Sequence, residues 1–224
     1  MPITHVVAPG EHLAQIARRH GFHSVKPIWE HPDNAELKQL RKNPMVLLAG
    51  DTLIIPDLTE RTESASTEQL NSFEADPGTH LLNLQLEESD ATPLKNRECT
   101  IEAKGEDAIL PPFDVVTDDK GRFSQTIPAG VTEGAVIVKK QEGEPANLIF
   151  RLVIGGLDPV DTVSGQQQRL NNLGYFAGFT EKDLAQLRWA LEEFQFDNGI
   201  KPNGDSTHEP TQKKLLTVHG DGDG

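Results

Sequence analysis

The chain holds eight histidines, a single cysteine and several adjacent carboxylates, the residue types that catalyse reactions or hold metals. Their spacing builds no reactive set. His20 and His23 flank a Gly-Phe pair, with His31 farther on, but zinc needs three or four converging N, S or O ligands. No histidine pair has the spacing of a metal-hydrolase helix. All eight are read as ordinary surface or core histidines. Asp118-Asp119 has the chemistry of a cation ligand, yet a β-turn asks for the same residues. Cys99 has no partner for an intramolecular disulfide and sits in an alternating apolar segment, so it is expected to be a buried structural thiol. No nucleophile elbow, phosphate loop, dinucleotide fingerprint or supported carboxylate pair occurs. The expectation is a protein that is not an enzyme, with no catalytic residues, no metal and no cofactor. Trp29 and Trp189 fall on expected helices, which favours core packing over sugar stacking.

With catalysis set aside, charge narrows the partners. The 224 residues carry a formal net charge of -14 and a pI near 4.9. Nucleic acid and anionic lipid are bound by clustered Lys and Arg, which such a chain lacks in the balance. Neutral sugar surfaces and basic protein patches fit better. No apolar run reaches the length of a membrane span, and Met-Pro-Ile-Thr-His has neither a basic start nor an apolar signal core. Synthesis in the cytoplasm without an ordinary export address is expected. Aromatic content of 5% points to small cores built from aliphatic side chains.

Three segments must position whatever binds. Ile-Thr-His-Val-Val over 3–7 reads as a strand, Pro9-Gly10 as a turn, and Glu11 onward as a helix with Leu13, Ile16 and Ala17 on one face, ended by Gly21. A second helical piece starts near Ser24 and carries Val25, Ile28 and Trp29. Pro32 interrupts it, Ala35 to Lys42 adds another turn or two, and Leu53-Ile54-Ile55 returns as a strand. Residues 58–79 read as a polar linker. From His80 the period becomes two: Leu82, Leu84 and Leu86, then 98–103, 123–128, 135–138 and 148–154, with Thr117-Asp-Asp-Lys-Gly-Arg-Phe123 as a turn. About six short strands over 80–155 predict a small β-sandwich. After Gly155-Gly156, helices are expected over 163–172, over 181–197 with Leu184, Leu187, Leu191 and Phe194 on one face, and over 210–218. Residues 156–220 form the last domain, and the tail 220–224 is expected to fray. The long polar linker should leave 1–57 freer than the last domain, which should move with the sandwich.

The segment His5-Val-Val-Ala-Pro-Gly-Glu-His-Leu-Ala-Gln-Ile-Ala-Arg-Arg-His-Gly21, with Asn43-Pro44 and Leu48-Ala-Gly-Asp-Thr-Leu-Ile-Ile-Pro56, resembles a LysM module (βααβ). Gln168-Arg-Leu-Asn-Asn-Leu-Gly174, Ala190-Leu-Glu-Glu-Phe-Gln195, Asn198-Gly199, Thr211 and Leu215 resemble the three-helix peptidoglycan-binding module. The turn at 117–123 is similar to that of transthyretin-like and carboxypeptidase-regulatory sandwiches. The fold class implied is multidomain α+β: LysM, transthyretin/Ig-like sandwich, three-helix module. The LysM resemblance implies a sugar groove between two loops, at Ala8, Gly10, Glu11 and His12 and at Asn43, Pro44, Met45, Val46 and Leu47. His12 replaces the usual Ser or Thr, and His31 to Lys42 is longer than the usual connection. In the third domain Gly178-Phe-Thr-Glu-Lys-Asp183 replaces the family's Asp-Gly-x-Phe-Gly loop.

The whole chain resembles accessory proteins found beside type VI secretion spike and effector genes. His31-Pro-Asp-Asn-Ala-Glu-Leu-Lys38, Arg41-Lys-Asn-Pro44, Gly50-Asp-Thr-Leu-Ile-Ile-Pro-Asp57 and the whole run Leu157 to Gly174 carry it. That resemblance implies delivery to the periplasm or the cell exterior by a contractile machine. Two functions follow from it. One is non-catalytic binding of peptidoglycan or GlcNAc oligomers. The other is an adaptor or chaperone that docks an effector or spike protein on the same modules. Neither involves nucleic acid or membrane insertion.

Overall fold

Short β-branched runs at the two ends of the first 57 residues pair with each other. In the computed structural model, which describes residues 1–58, 70, 79–88, 92–105 and 109–220, strand β1 (Ile3–Val6) lies antiparallel to β2 (Thr52–Ile55), with Ile3 opposite Ile55 and Val6 opposite Thr52. Between them run helix α1 (Leu13–Arg19), helix α2 (Lys26–Trp29), a 3-10 turn (Pro32–Asn34) and helix α3 (Ala35–Arg41). Gly21 follows α1 at φ 78°, the left-handed conformation expected of a helix end. The stretch 31–42 is thus ordered, and Asn34 explains how. Its buried side chain donates to the Ile28 and Ile54 carbonyls and accepts from the Ile54 amide, all at 2.8 Å. It satisfies the free edge of β2 as a third strand would.

Six strands make two further antiparallel sheets. Strand β3 (Thr79–Gln85) pairs with β6 (Arg122–Pro128). Strands β4 (Glu98–Lys104), β5 (Ile109–Val116), β7 (Glu133–Val138) and β8 (Leu148–Val153) form a sheet in the order β5-β4-β7-β8. Cys99, Ile101, Val136 and Val138 of the larger sheet bury with Leu84 and Phe123 of the smaller packed against them. Alternation with exposed residues gives each strand one inward face.

Strand β5 has no counterpart in the sequence reading, and it contains Pro111-Pro112, a pair ill-suited to a central strand. Its position resolves the conflict. It is an edge strand, and the register shifts between Ile101 and Ala103, where Pro111 and Pro112 sit. A bulge at an edge is where missing N–H donors do least harm.

The turn before β6 is built as its residues suggest. One Asp118 carboxylate oxygen accepts from the Lys120 and Arg122 amides, both at 2.8 Å. Gly121 has φ 73°, and a Cβ there would lie 2.4 Å from the Leu86 carbonyl oxygen. No other residue fits that approach.

Helices α4 (Val163–Asn172), α5 (Leu184–Asp197) and α6 (Glu209–His219) close the chain. Leu170, Leu187, Ala190, Leu191, Phe194 and Leu215 form their core. Two expectations fail on α5. Leu184 is exposed, as the first residue of the helix rather than part of its buried stripe. Trp189 is 64% exposed, whereas Trp29 on α2 is 6% exposed. The helix starts three residues late because Asp183 accepts from the Phe179 and Thr180 amides and holds 179–183 as a turn.

Internal contacts divide the chain into two units: Met1–Leu13, Val25–Asp57 and Gly156–Gly224 in one, Ala14–Ser24 and Leu58–Gly155 in the other. The helical segment is thereby grouped with the N-terminal strands. Except for Leu58, Leu70 and Thr79, the expected linker over 58–79 lies outside the described residues, as does the tail beyond Gly220.

Candidate functional site

The two N-terminal loops expected to hold sugar are brought together. The Leu13 amide donates to the Pro44 carbonyl at 3.3 Å. In the first loop Ala8 and Gly10 are exposed, Gly10 with φ 81°. Glu11 and His12 are buried. One Glu11 oxygen accepts from the Ala8 amide at 2.8 Å and lies 2.9 Å from His5 Nε2. Glu11 therefore shapes its own loop, in the manner of a capping residue reaching back three positions. In the second loop Asn43, Pro44 and Met45 are half-buried, while Val46 and Leu47 are buried. The Asn43 side chain accepts from the Met45 amide at 2.9 Å, an Asx turn that fixes the corner. Of the nine residues, Ala8, Gly10, Asn43, Pro44 and Met45 keep surface for a ligand, and four face inward.

An ion pair braces the second loop. Arg41 meets Asp51 at two points, each 2.8 Å, and the same carboxylate accepts from the Leu48 amide. Burial by itself would raise the Asp51 carboxyl. The Arg41 and Leu48 hydrogen bonds and the Arg41 charge outweigh it and hold it below the ordinary carboxylate range. The Asp51 contact raises Arg41 in turn.

Gly156 approaches the first loop closely, and beside that contact lies an open groove of about 640 Å³. Pro9, Gly10, Leu48 and Ala49 form one wall. Gly156, Asp158, Ser164, Gln168 and Glu181 form the other. Of the expected sugar residues only Gly10 lines it. The lining mixes backbone, amide, hydroxyl and carboxylate groups, which suits a hydroxyl-rich ligand.

The second wall is held by side chains that pattern reading passed over. On α4, Gln166 donates to the Val160 and Ser206 carbonyls, and Gln167 to those of Ala177 and Thr180. Gln168 accepts from the Asp158 amide at 2.7 Å. Arg169, wholly buried, donates to the Asp158 and Gly165 carbonyls. On α5 the buried Gln195 donates to Asn203 and Thr211 and accepts from the Asn203 and Gly204 amides. These side chains replace backbone pairing for irregular loops. The run of three glutamines before an arginine is the sequence signal for it, since four consecutive long polar residues cannot all face solvent on a helix packed in a bundle.

The titration behaviour of the helical segment is structural. Asp183 is held low by the Phe179 and Thr180 amides, and Asp205 by Thr207. Tyr175 is pushed up to about 12 by burial and by Asp197, which accepts its hydroxyl proton. Each group serves a local turn or contact. Among the described residues no three His, Cys, Asp or Glu side chains lie together as a metal site would require. Also among them, no helix is long and apolar enough to cross a membrane.

Residues 161–209 match the family model of a peptidoglycan binding domain. The match spans α4, α5 and the loops that carry Ala177, Thr180, Asn203, Gly204 and Ser206, whose backbone groups Gln166, Gln167 and Gln195 satisfy. That segment is similar to a peptidoglycan-binding module, and the likeness supports peptidoglycan as a partner. No curated protein and no solved structure matches the chain.

Proposed function

We propose that the chain is a non-catalytic peptidoglycan-binding accessory protein. The observation that carries this reading is the peptidoglycan-binding match over 161–209, whose Ser164, Gln168 and Glu181 line one side of the groove beside Gly10. Supporting it at the N-terminus are two paired strands that enclose α1 and α2, a LysM-like frame extended here by a 3-10 turn and a third helix, α3, with the two loops joined at Leu13 and Pro44. We read that segment as LysM. Association with a type VI secretion machine, and delivery by it to the periplasm or the cell exterior, belong to the same proposal and rest on the sequence resemblance. Absence of catalysis rests on the sequence, which holds no nucleophile elbow, phosphate loop, dinucleotide fingerprint or supported carboxylate pair.

A second reading, an adaptor or chaperone that docks an effector or spike protein, is favoured by one observation. Glu11, His12, Val46 and Leu47 are buried, so the N-terminal loops offer a ligand fewer side chains than expected. Co-sedimentation of the intact chain with purified insoluble peptidoglycan separates the two. Under the proposal the protein pellets, and labelled peptidoglycan releases no more soluble fragments than a boiled control. A chain that stays in the supernatant while a spike or effector protein retains it supports the adaptor. Fragment release above the control removes the non-catalytic reading.

A further inference from the structure

Trp189 and Phe196 stand on the outer face of α5, 64% and 75% exposed. Two large aromatic side chains left in solvent on one short helix are unusual, because each forgoes a large apolar burial. They are seven residues apart, two helical turns, so they lie on the same side of α5 about 10.5 Å from one another along its axis. This side is opposite the buried stripe of Leu187, Leu191 and Phe194.

What separates the rings decides what they can bind. A helix that docks on another protein segment presents apolar residues at i, i+3, i+4 and i+7. Here the intervening positions are Glu192 and Glu193. The face is two isolated rings with carboxylates between them, not a continuous apolar stripe. Arg188 is tied to Glu192 at 3.0 Å, so its charge is answered within the helix. The other charges of these turns, Glu193 and Asp197, are negative. An anionic partner is therefore repelled, whereas sugar hydroxyls find acceptors. In an extended β-1,4-linked glycan each ring is flipped relative to the last, so every second ring presents the same face. Its disaccharide repeat matches two turns of α-helix. The C–H groups of a pyranose face are the positive partner that an aromatic ring attracts.

From these observations we infer that Trp189 and Phe196 form a two-point stacking platform for a glycan strand, one ring for each disaccharide repeat. The proposal rests on the peptidoglycan-binding reading of 161–209 and names the sugar backbone, rather than the stem peptide, as what α5 grips.

The test uses the full chain and its Trp189→Ala, Phe196→Ala and double variants. The probes are chitobiose and chitotetraose by calorimetry, and insoluble peptidoglycan by sedimentation. Both positions are exposed, so far-UV circular dichroism and melting should be unchanged. A disaccharide reaches one ring and a tetrasaccharide both, so the wild type should bind the longer probe about tenfold tighter. Phe196→Ala should erase that length preference, Trp189→Ala should weaken both probes, and the double variant should pellet less than the wild type, keeping only what the N-terminal loops hold. If the wild type pellets and the double variant pellets equally, the platform is wrong while the peptidoglycan reading stands. Equal wild-type affinity for the two probes also overturns it. If the wild type does not pellet, the peptidoglycan reading fails and the platform with it.

Discussion

Arg41 and Asp51 close the second N-terminal loop from opposite ends, the last residue of α3 meeting the residue before β2 through two contacts of 2.8 Å. The pair fixes where that loop meets the first one, because the Asp51 carboxylate also accepts from the Leu48 amide and its backbone carbonyl accepts from the Val7 amide.

Asp51→Asn should destabilise the protein by about 2 kcal/mol near neutral pH, the scale for losing a charge-assisted contact that is partly screened. The folded carboxyl lies below its unfolded value. Its contribution is therefore full above the ordinary carboxylate range and is lost as pH falls through the lower folded value. Denaturant titrations of both proteins should show the difference shrinking toward zero in acid. A difference that is constant with pH would remove charge as the cause.

Gln195→Ala should be among the costlier substitutions in the helical module, at roughly 2–4 kcal/mol, because it leaves several buried partners unsatisfied together. Asn203, the Gly204 amide and Thr211 all depend on it. Thermal melts of the full chain check this. A shift no larger than that of an exposed change such as Gln39→Ala would show that the network is dispensable.

Gly156 and Gly143 separate crowding from backbone strain. Both have left-handed φ, 73° and 91°. A Cβ on Gly143 meets nothing within 4 Å, whereas one on Gly156 would lie 2.9 Å from Gly10 Cα. Gly143→Ala should cost about 1 kcal/mol from conformation alone. Gly156→Ala should cost more and should shift the NMR resonances of the Ala8–His12 loop. Equal costs, with an unmoved loop, would mean that Gly156 and Gly10 do not press on each other in solution.

Soluble GlcNAc oligomers titrated into the chain should shift the Ala8–His12 and Asn43–Leu48 amides, with a Kd on the order of 0.1–1 mM, roughly 4–5.5 kcal/mol, because the exposed surface there is small. No shift at millimolar sugar would leave the N-terminal loops to protein docking.

Cys99 should be inert in the folded protein. It is wholly buried on β4, and burial pushes its thiol upward, against the pull of Arg97 and Lys139. A thiol reagent should react only on unfolding; reaction at native rates comparable to free cysteine would contradict the sheet as described.

Much of this molecule is local and was legible. Period-two stretches became strands and period-3.6 stretches became helices, and Gly21, Gly121 and Gly199 stand where left-handed backbone was required. Asp118 turns the chain as its neighbours imply. What pattern could not assign is which side of an element faces inward once another element covers it. Trp29 and Trp189 read alike on their helices, yet α2 buries the first and α5 turns the second to solvent. Pro111-Pro112 excludes a central strand by local chemistry, and only the order of the sheet made an edge with a bulge available to it. Asn34, Gln195 and Arg169 carry no apolar signal at all. Their roles exist because irregular backbone was buried beside them by the packing of distant residues, and each unsatisfied carbonyl or amide there needed a partner.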